Sequence, residues 1–323
     1  TLDTFVDSSW YFLRFCSPHD ATRPWDPDRL AYWAPVDQYT GGAEHATLHL
    51  LYARFVVKAL RDLGWLTFGE PFVRLYNQGL VISAGAKMSK SRGNVVNPEA
   101  IVNTLGADTV RAYLMFLGPW NLGGEWSDRG IRGIQRFLVR VWRLVLETKD
   151  REAATGSDPV GERAIERLTH RTIARVTDDL ERFRFNTQVA TLMEYERELG
   201  ARAESAVVGT PIWREAIRTL LLLLAPSTPY LAEELWFRLG LPYSIHHQPW
   251  PVHRPEVMAP EEVTVLVQVN GKVRDRLALP MALDPAEVER RARSSARVRR
   301  FIDGHQVTHV VYIPDTLINL VTD

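Results

Sequence analysis

The chain has 323 residues, and its 39 Lys plus Arg balance 39 Asp plus Glu, so the formal net charge is zero at pH 7. This length predicts two or three domains. The zero net charge excludes a long-range electrostatic field that would attract nucleic acid, so any nucleic-acid site must be a local one. The single cysteine, Cys16, excludes a disulfide framework and a cysteine-rich zinc site. Apolar runs such as 220–225 are far too short to span a bilayer. We therefore expect a cytoplasmic protein without zinc.

The first 120 residues are rich in Trp, Tyr and Phe and predict an α/β layer. Segment 44–63 has apolar residues at helical spacing and predicts one long amphipathic helix. The β-branched and aromatic stretch 72–82 predicts one or two strands. Two short helices are then expected, with Asn97 and Asp108 as their N-caps and a glycine closing each. Strands alternating with helices indicate an α/β arrangement.

Residues 121–245 predict an all-α bundle. Segment 128–149 places apolar residues three and four positions apart, which is the stripe of a helix that buries one face. Further helical stretches are expected over about 160–200 and 212–240. The proline-rich, aperiodic segment 246–261 is predicted to be a linker.

Residues 262–323 predict a small α+β domain. The segment 263–279 alternates apolar and polar residues around Asn270-Gly271, a strong hairpin signal. A helix follows, with Asp284 as N-cap and Pro285 at the first helical position. Two short apolar strands complete the domain.

The loop 84–94, AGAKMSKSRGN, contains two of the only five lysines in a chain whose other basic residues are arginines. An ammonium is a compact charge on a flexible stem and suits phosphate oxygens that move. Gly85 and Gly93 allow the loop to bend around an anion. The alternative is an exposed loop in which Lys87 and Lys90 are simply solvated. The loop differs from the Walker sequence, since no G-x-x-x-x-G-K-[ST] precedes it.

The pentapeptide KMSKS matches letter for letter the second signature of class I aminoacyl-tRNA synthetases. Other segments resemble the leucyl-tRNA synthetases of that family, among them DTFVDSSWYFLRF, GGAEHATLHLLYARF, GADTVRAYLMF and VQVNGKVRDRL. The resemblance covers essentially all 323 residues. It implies the second half of a Rossmann-like nucleotide-binding fold over 1–120, a helical tRNA-binding bundle over 121–245, and a C-terminal tRNA-contacting domain over 262–323.

The resemblance also implies a set of site residues. Lys90 and Lys87 are expected to be catalytic, because the loop would bring positive charge to the triphosphate in the transition state. Positions matching ATP contacts are Gly42, Glu44, His45, Lys87, Met88, Ser89, Lys90 and Ser91. Positions matching the leucine pocket are Phe5, Ser8, Tyr11, Tyr39 and His49. The alternative makes the aromatic residues ordinary core and the histidines capping or satisfied core residues.

Two arginine-rich surfaces are candidate tRNA contacts. One is the row Arg129, Arg132, Arg136, Arg140 and Arg143 on a single helical face without matching acids; the other includes Arg290, Arg293, Arg297 and Arg300. Lys272, at the hairpin tip, is a weaker candidate. The competing interpretations are a solvated charged face for the row, pairing of the second cluster with Glu287 and Glu289, and simple solvation of Lys272.

The expected activity is leucine–tRNA ligation, with leucine, ATP with Mg²⁺, and tRNA(Leu) as ligands and a monomeric whole enzyme. The first family signature, His-x-Gly-His, is not present in these residues, and neither is the editing insertion. The chain is therefore expected to be a fragment that begins after that insertion and has negligible adenylation alone. The alternatives are a non-catalytic tRNA-binding fragment or paralogue, or a synthetase for isoleucine, valine or methionine.

Overall fold

The structure, a computed structural model, describes residues 4–153, 158–258, 262–280 and 283–323, with the side chains of Lys90 and Glu262 outside the described set. Two compact units are present, Thr1–His253 and Arg254–Asp323. The helices are α1 Thr4–Ser8, α2 Tyr11–Arg14, α3 Pro27–Trp33, α4 His49–Asp62, α5 Pro98–Leu105, α6 Ala107–Phe116, α7 Asp128–Thr148, α8 Pro159–Glu181, α9 Phe185–Gly200, α10 Pro211–Leu224, α11 Pro229–Arg238, α12 Pro255–Met258, α13 Pro285–Ser294 and α14 Ala296–Ile302. The strands are β1 Val36–Gly42, β2 Phe72–Gln78, β3 Leu80–Ser83, β4 Ala86–Lys87, β5 Gly123–Glu125, β6 Glu262–Val269, β7 Lys272–Pro280, β8 Val307–Ile313 and β9 Leu317–Thr322.

The first unit begins with the predicted α/β layer. Strands β1 and β2 pair in parallel, from Val36 opposite Phe72 to Gly42 opposite Gln78, and α4 lies between them in sequence. Strand β3 pairs in parallel with β5 and antiparallel with β4. The apolar core beneath α4 contains the fully buried residues Leu13, Ala53 and Val57.

The long helix predicted from residue 44 is wrong at its start. Residues Ala43–Thr47 form a 3₁₀ turn, and the α-helix begins only at His49. Leu48, between the two, has φ −114° and ψ −109°, outside the helical region. Apolar residues keep their helical spacing across this junction, so the sequence pattern did not indicate the change in backbone conformation.

The helical bundle is confirmed in α7 to α11. The predicted apolar stripe of α7 is buried in its core at Ile131, Ile134, Leu138, Val141 and Val145. The predicted helical stretches each contain two helices, α8 and α9 in one and α10 and α11 in the other. The turn between α8 and α9 holds Phe183 at φ +56°, which interrupts the helix.

Asp108 does not cap the helix in which it lies. Gly106 is the N-cap of α6 and provides no side-chain cap. The buried Asp108 carboxylate instead accepts a hydrogen bond of 2.6 Å from the backbone N–H of Leu231, in the first turn of α11. A contact between residues so distant in sequence ties the α/β layer to the bundle, and local sequence rules do not reveal it.

The second unit is the predicted α+β module. Its sheet has the order β7-β6-β9-β8, and β6 and β9 pair in parallel. Asn270 and Gly271, with φ of +51° and +76°, make the predicted hairpin turn. The side chain of Asp284 accepts from the backbone N–H of Ala286, as an N-cap does. The helix that follows is not continuous, because Ser295 ends α13 and caps α14.

The predicted fold class is confirmed: an α/β segment precedes an all-α bundle and a small α+β module. The domain boundaries at 120, 245 and 262 stay predictions. Part of the predicted linker, 259–261, lies outside the described residues. Among the described helices, none combines the length and apolar character needed to cross a membrane.

Candidate active site

One cavity of about 440 Å³ collects the predicted pocket residues in the first unit. It lies among α1, α2, the end of β1 and the start of α4. All the positions predicted for leucine line it, namely Phe5, Ser8, Tyr11, Tyr39 and His49. Gly42 and His45, predicted for ATP, line it as well. Residues separated by up to 44 positions in sequence therefore meet at one site.

A chain of hydrogen bonds joins three of these side chains. The hydroxyl groups of Tyr11 and Tyr39 are 2.8 Å apart, and the Tyr39 hydroxyl is 2.8 Å from Nε2 of His49. His49 is 9% exposed, and burial lowers its pKa, with a smaller lowering from the nearby His45. In a neutral imidazole the tautomer decides whether Nε2 donates to the Tyr39 hydroxyl or accepts from it. Nδ1 has no hydrogen-bond partner among the described residues.

Tyr39 is fixed by residues that sequence reasoning missed. Phe72 on β2 stacks on its ring with a centroid distance of 3.8 Å and an interplanar angle of 7°. Burial, and to a smaller extent the bond to Tyr11, raises the pKa of Tyr39, so its hydroxyl stays protonated. The Asn77 amide donates to the carbonyl of Gly41 at 2.9 Å and holds the end of β1. The only sequence signal for Phe72 and Asn77 was their place on a predicted strand.

Gly42 and Glu44 form a close pair at the end of β1. A Cβ added to Gly42 would lie 2.3 Å from Oε2 of Glu44, so the carboxylate occupies the space that a side chain would fill. Glu44 itself is exposed in the 3₁₀ turn. The carboxylate thus lies close to the backbone of Gly42 and is open to solvent, where it can accept hydrogen bonds from a ligand.

The lysine loop bends where its glycines predict. Gly85 and Gly93 have φ of +70° and +65°, in the left-handed region. Lys87, on β4, is exposed and has no ion pair among the described side chains. The backbone of Lys90 lies in the turn Lys90–Arg92, and its side chain lies outside the described set. Met88 and Ser89 are half-buried, whereas Ser91 is exposed.

Asn94 holds this loop together and was not singled out from the sequence. Its Oδ1 accepts from the backbone N–H of Ser89 at 2.9 Å. Its Nδ2 donates to the carbonyls of Ser83 at 3.0 Å and Lys87 at 3.3 Å. One amide therefore connects both arms of the loop. The hydroxyls of Ser89 and Ser91 are 2.7 Å apart and give the loop a further internal contact.

The arginine row on α7 is exposed along its length: Arg129, Arg132, Arg136, Arg140 and Arg143. The expectation that no acid matches the row is wrong at Arg140, which forms a 2.9 Å ion pair with the buried Glu196 of α9. For the other members, no ion pair is present within the described parts of the chain. An acid on another helix could not be read from the periodicity of α7.

The C-terminal arginines pair locally to a large extent. Arg290 pairs with Glu287, Arg293 with Glu289 at 2.6 Å, and Arg297 with Asp275 at 3.3 Å. Across the described residues Arg300 and Lys272 have no ion pair. The pairing with Glu287 and Glu289 considered from the sequence is therefore present at Arg290 and Arg293. The partner of Arg297 lies on β7 and was not expected from the sequence.

The described residues contain no group of three or more His, Cys, Asp or Glu side chains arranged to hold a metal ion. Hard cations such as Mg²⁺ commonly bind through one or two carboxylates together with substrate phosphates. Such an ion would therefore depend on the phosphates of a bound nucleotide for most of its ligands.

Comparison with known families gives two matches along the chain. Residues 35–121 match a family described as tRNA synthetases class I (I, L, M and V). Residues 162–290 match a family described as the anticodon-binding domain of tRNA ligase. The first match contains β1, the 3₁₀ turn, α4 and the lysine loop.

Similar proteins include the leucine–tRNA ligases of Dehalococcoides mccartyi strain BAV1 and of Rubrobacter xylanophilus. The first is 49% identical over 321 residues and the second 51% identical over 322 residues; each alignment covers 99% of this chain and 39% of the relative. The chain thus spans about two fifths of the length of these relatives.

Among solved structures, a leucyl-tRNA synthetase is also similar to this chain. The chain superposes with a TM-score of 0.84 and 38% identity on the ternary complex of Agrobacterium radiobacter K84 LeuRS with tRNA and LeuAMS, covering 100% of this chain and 43% of that one. Methionyl-tRNA synthetase of Mycobacterium tuberculosis, in complex with methionyl-adenylate, has a TM-score of 0.57 and 20% identity over 74% of this chain and 50% of its own. The second likeness concerns the fold alone.

Proposed function

We propose that this chain, a homologue of leucine–tRNA ligases over 99% of its length, is the part of such an enzyme that binds leucine and ATP and contacts tRNA(Leu). The reaction is adenylation followed by transfer. The carboxylate of leucine attacks the α-phosphorus of ATP, the bond to the β-phosphate breaks, and pyrophosphate leaves. A ribose hydroxyl at the tRNA 3′ end then attacks the leucyl carbonyl, and AMP leaves.

The observation that carries this proposal is the convergence of the predicted pocket residues on the cavity of about 440 Å³. Its walls combine aromatic and apolar surface from Phe5, Tyr11 and Leu75 with the polar chain of Tyr39 and His49. Such a lining suits a branched aliphatic side chain with a polar backbone end. A cavity of this kind discriminates weakly between aliphatic side chains that differ by one methylene.

We assign the ATP site to Gly42, Glu44, His45 and the lysine loop. Glu44 is placed to accept hydrogen bonds from ribose hydroxyls, because Gly42 leaves room for its carboxylate at the end of β1. Lys87, with Met88 and Ser89 beside it, presents an exposed ammonium in the loop. We assign to Lys90 and Lys87 the role of stabilising the negative charge that develops on the phosphates. Mg²⁺ would arrive with the nucleotide and neutralise part of that charge.

Positioning and electrostatics would account for catalysis in such a site. The stacked Tyr39 and the Asn77 bond fix the cavity wall, so that leucine can be held in one orientation. Asn94 holds the loop in the conformation described, and the two glycines at positive φ give its backbone the freedom to change conformation when a nucleotide binds. The tRNA surfaces, a monomeric whole enzyme and a cytoplasmic location remain parts of this proposal.

The test is leucine-dependent ATP–pyrophosphate exchange by the longest natural polypeptide that contains these 323 residues. We expect exchange with leucine in preference to isoleucine, valine and methionine. Replacing Lys90 with alanine should lower the single-turnover rate of adenylation by about a hundredfold and change leucine binding much less.

The matched control is Lys58→Ala, which removes a half-buried lysine that pairs with Glu70 outside the cavity. Lys58→Ala should retain wild-type exchange. Preference for another amino acid would contradict the leucine assignment, and an unchanged adenylation rate in Lys90→Ala would contradict the role of the loop. Exchange by the 323-residue chain alone would contradict the expectation that these residues have negligible adenylation activity by themselves.

A further inference from the structure

The end of strand β2 carries two residues of the candidate active site and is held by the helical bundle. Asn77 and Gln78 line the cavity of about 440 Å³, and the Asn77 amide donates to the Gly41 carbonyl at 2.9 Å. Tyr76 comes directly before them. Its ring stacks on Phe183, in the turn between α8 and α9, with a centroid distance of 4.8 Å and an interplanar angle of 22°. The bundle therefore contacts β2 one residue away from the cavity wall.

A second contact holds the other side of this short segment. The backbone N–H of Gly79 donates to the Trp120 carbonyl at 2.7 Å. Trp120 packs edge to face on Phe185 of α9 with centroids 5.0 Å apart, and Phe185 lies 5.3 Å from the ring of Phe183. A Cβ added to Gly79 would lie 2.1 Å from the backbone nitrogen of Gly123, so the backbone here is packed against β5. The aromatic side chains thus connect the positions that precede and follow the two cavity residues.

Phe183 has a backbone conformation that suits glycine better than phenylalanine. Its φ is +56°, in the left-handed region, where a bulky side chain costs free energy. The turn fixes this conformation, because the side chains of Arg182 and Arg184 both pair with the Asp178 carboxylate. Arg184 also pairs with the buried Asp179 at 3.0 Å. Strained residues held in this way by their surroundings are common at functional positions. Glycine would serve the turn alone at lower cost, so the ring accounts for a phenylalanine here.

We propose that Phe183 is a positioning residue for the candidate active site. Its ring fixes Tyr76, and Tyr76 fixes the two cavity residues that follow it on β2. Because Asn77 also holds the Gly41 carbonyl, a shift of β2 moves the end of β1, which forms another part of the cavity wall. Phe183 lies outside the described lining of the cavity, so it acts on a substrate only through β2. This role rests on the proposed function, which makes the cavity the leucine site.

The experiment compares variants that separate the ring from the backbone. Phe183→Gly removes the ring and relieves the strained φ, so the variant should fold. Phe183→Tyr keeps the ring and should retain wild-type behaviour. The matched control is Phe237→Ala, which removes an exposed phenylalanine of α11 outside the described cavity lining. The double variant Tyr76→Leu/Phe183→Gly, compared with its two single changes, tests whether both residues act through one contact.

Two measurements are made on each variant. Leucine-dependent ATP–pyrophosphate exchange by the longest natural polypeptide that contains these residues gives kcat and the KM for leucine. Amide hydrogen exchange of residues 72–80, measured by mass spectrometry on the 323-residue chain, reports on β2 without depending on activity.

We expect Phe183→Gly to raise the KM for leucine by about fivefold and to change kcat by less than about twofold, because the loss of one aromatic pair loosens the cavity wall. Partial unfolding would lower the amount of active enzyme and leave KM unchanged, so KM separates positioning from stability. Hydrogen exchange of residues 72–80 should become about fivefold faster. The double variant should have about the KM of the single variants, since each of them already removes the same stack.

Three results overturn the inference. A wild-type KM for leucine in Phe183→Gly would mean that the ring serves packing alone, and it would leave the proposed function intact. An equal rise of KM in Phe237→Ala would show that the effect is not specific to β2. A double variant whose KM change is the product of the single changes would show that the two residues act separately. If the wild-type polypeptide gives no leucine-dependent exchange, the proposed function fails, and hydrogen exchange decides alone: faster exchange of residues 72–80 in Phe183→Gly supports the positioning role, and an unchanged rate refutes it.

Discussion

Replacing Tyr39 with phenylalanine tests the hydrogen-bonded chain that lines the candidate active site. The substitution keeps the ring and its 3.8 Å stack on Phe72, and it removes both bonds of the hydroxyl, to Tyr11 and to His49. His49 is 9% exposed and already has one unpartnered ring nitrogen among the described residues. After the change its second ring nitrogen also has no partner among the described residues.

The cost follows from burial. The bond between Tyr39 and His49 is the more costly one to lose, because His49 is buried and leaving a buried polar atom unsatisfied costs about 1–3 kcal/mol. The bond between Tyr11 and Tyr39 joins two half-buried residues, so water replaces much of it and the loss is about 0.5 kcal/mol. We expect a total loss of about 2 kcal/mol for Tyr39→Phe, and only the smaller part for Tyr11→Phe.

Urea unfolding followed by tryptophan fluorescence measures the stability of the first compact unit, which contains the cavity, because all ten tryptophans precede residue 254. With a slope of about 3 kcal/mol per M, the midpoint of Tyr39→Phe should fall by about 0.7 M. The double variant Tyr39→Phe/His49→Leu should lose less than the sum of its single changes. An unchanged midpoint for Tyr39→Phe, or an equal loss in Tyr11→Phe, would refute the reasoning.

Four further predictions follow from the site and the units. Gly42→Ala should leave stability within about 0.5 kcal/mol, since the exposed Glu44 can move aside, but raise the KM for ATP in the whole enzyme; an unchanged KM would contradict the ribose role. Asn94→Ala should speed amide hydrogen exchange in the lysine loop by about fivefold, measured by mass spectrometry, with other segments as internal reference. The lowered pKa of His49 means that the unfolded state binds more protons below about pH 6.5. The free energy of unfolding should therefore fall as pH decreases from there through the folded pKa, and His49→Gln should show a smaller fall. Removal of 262–323 should weaken tRNA charging and spare adenylation; equal losses in both assays would contradict a tRNA role.

The elements with strong periodic patterns were predictable because their signals are local. The stripe of α7 and the Asn-Gly turn depend on neighbours a few residues apart, and both occur as expected. The failures lie where distant residues decide the outcome. Aspartate is a residue type that favours N-caps, yet the Asp108 carboxylate accepts a hydrogen bond from the start of α11. Arg140 forms its ion pair with an acid on α9.

The sequence by itself determined the order of α/β, helical and α+β segments and the bend of the lysine loop, because periodicity, glycine and short motifs are properties of adjacent positions. The residues of the leucine pocket were expected only from the family resemblance, and their role stays a prediction. Only the tertiary structure decided how those residues meet. The stack of Phe72 on Tyr39, the hydrogen bonds of Asn94 and the bond between Asp108 and Leu231 join separate elements. Such contacts depend on how strands and helices pack, and packing depends on the whole chain rather than on any one segment.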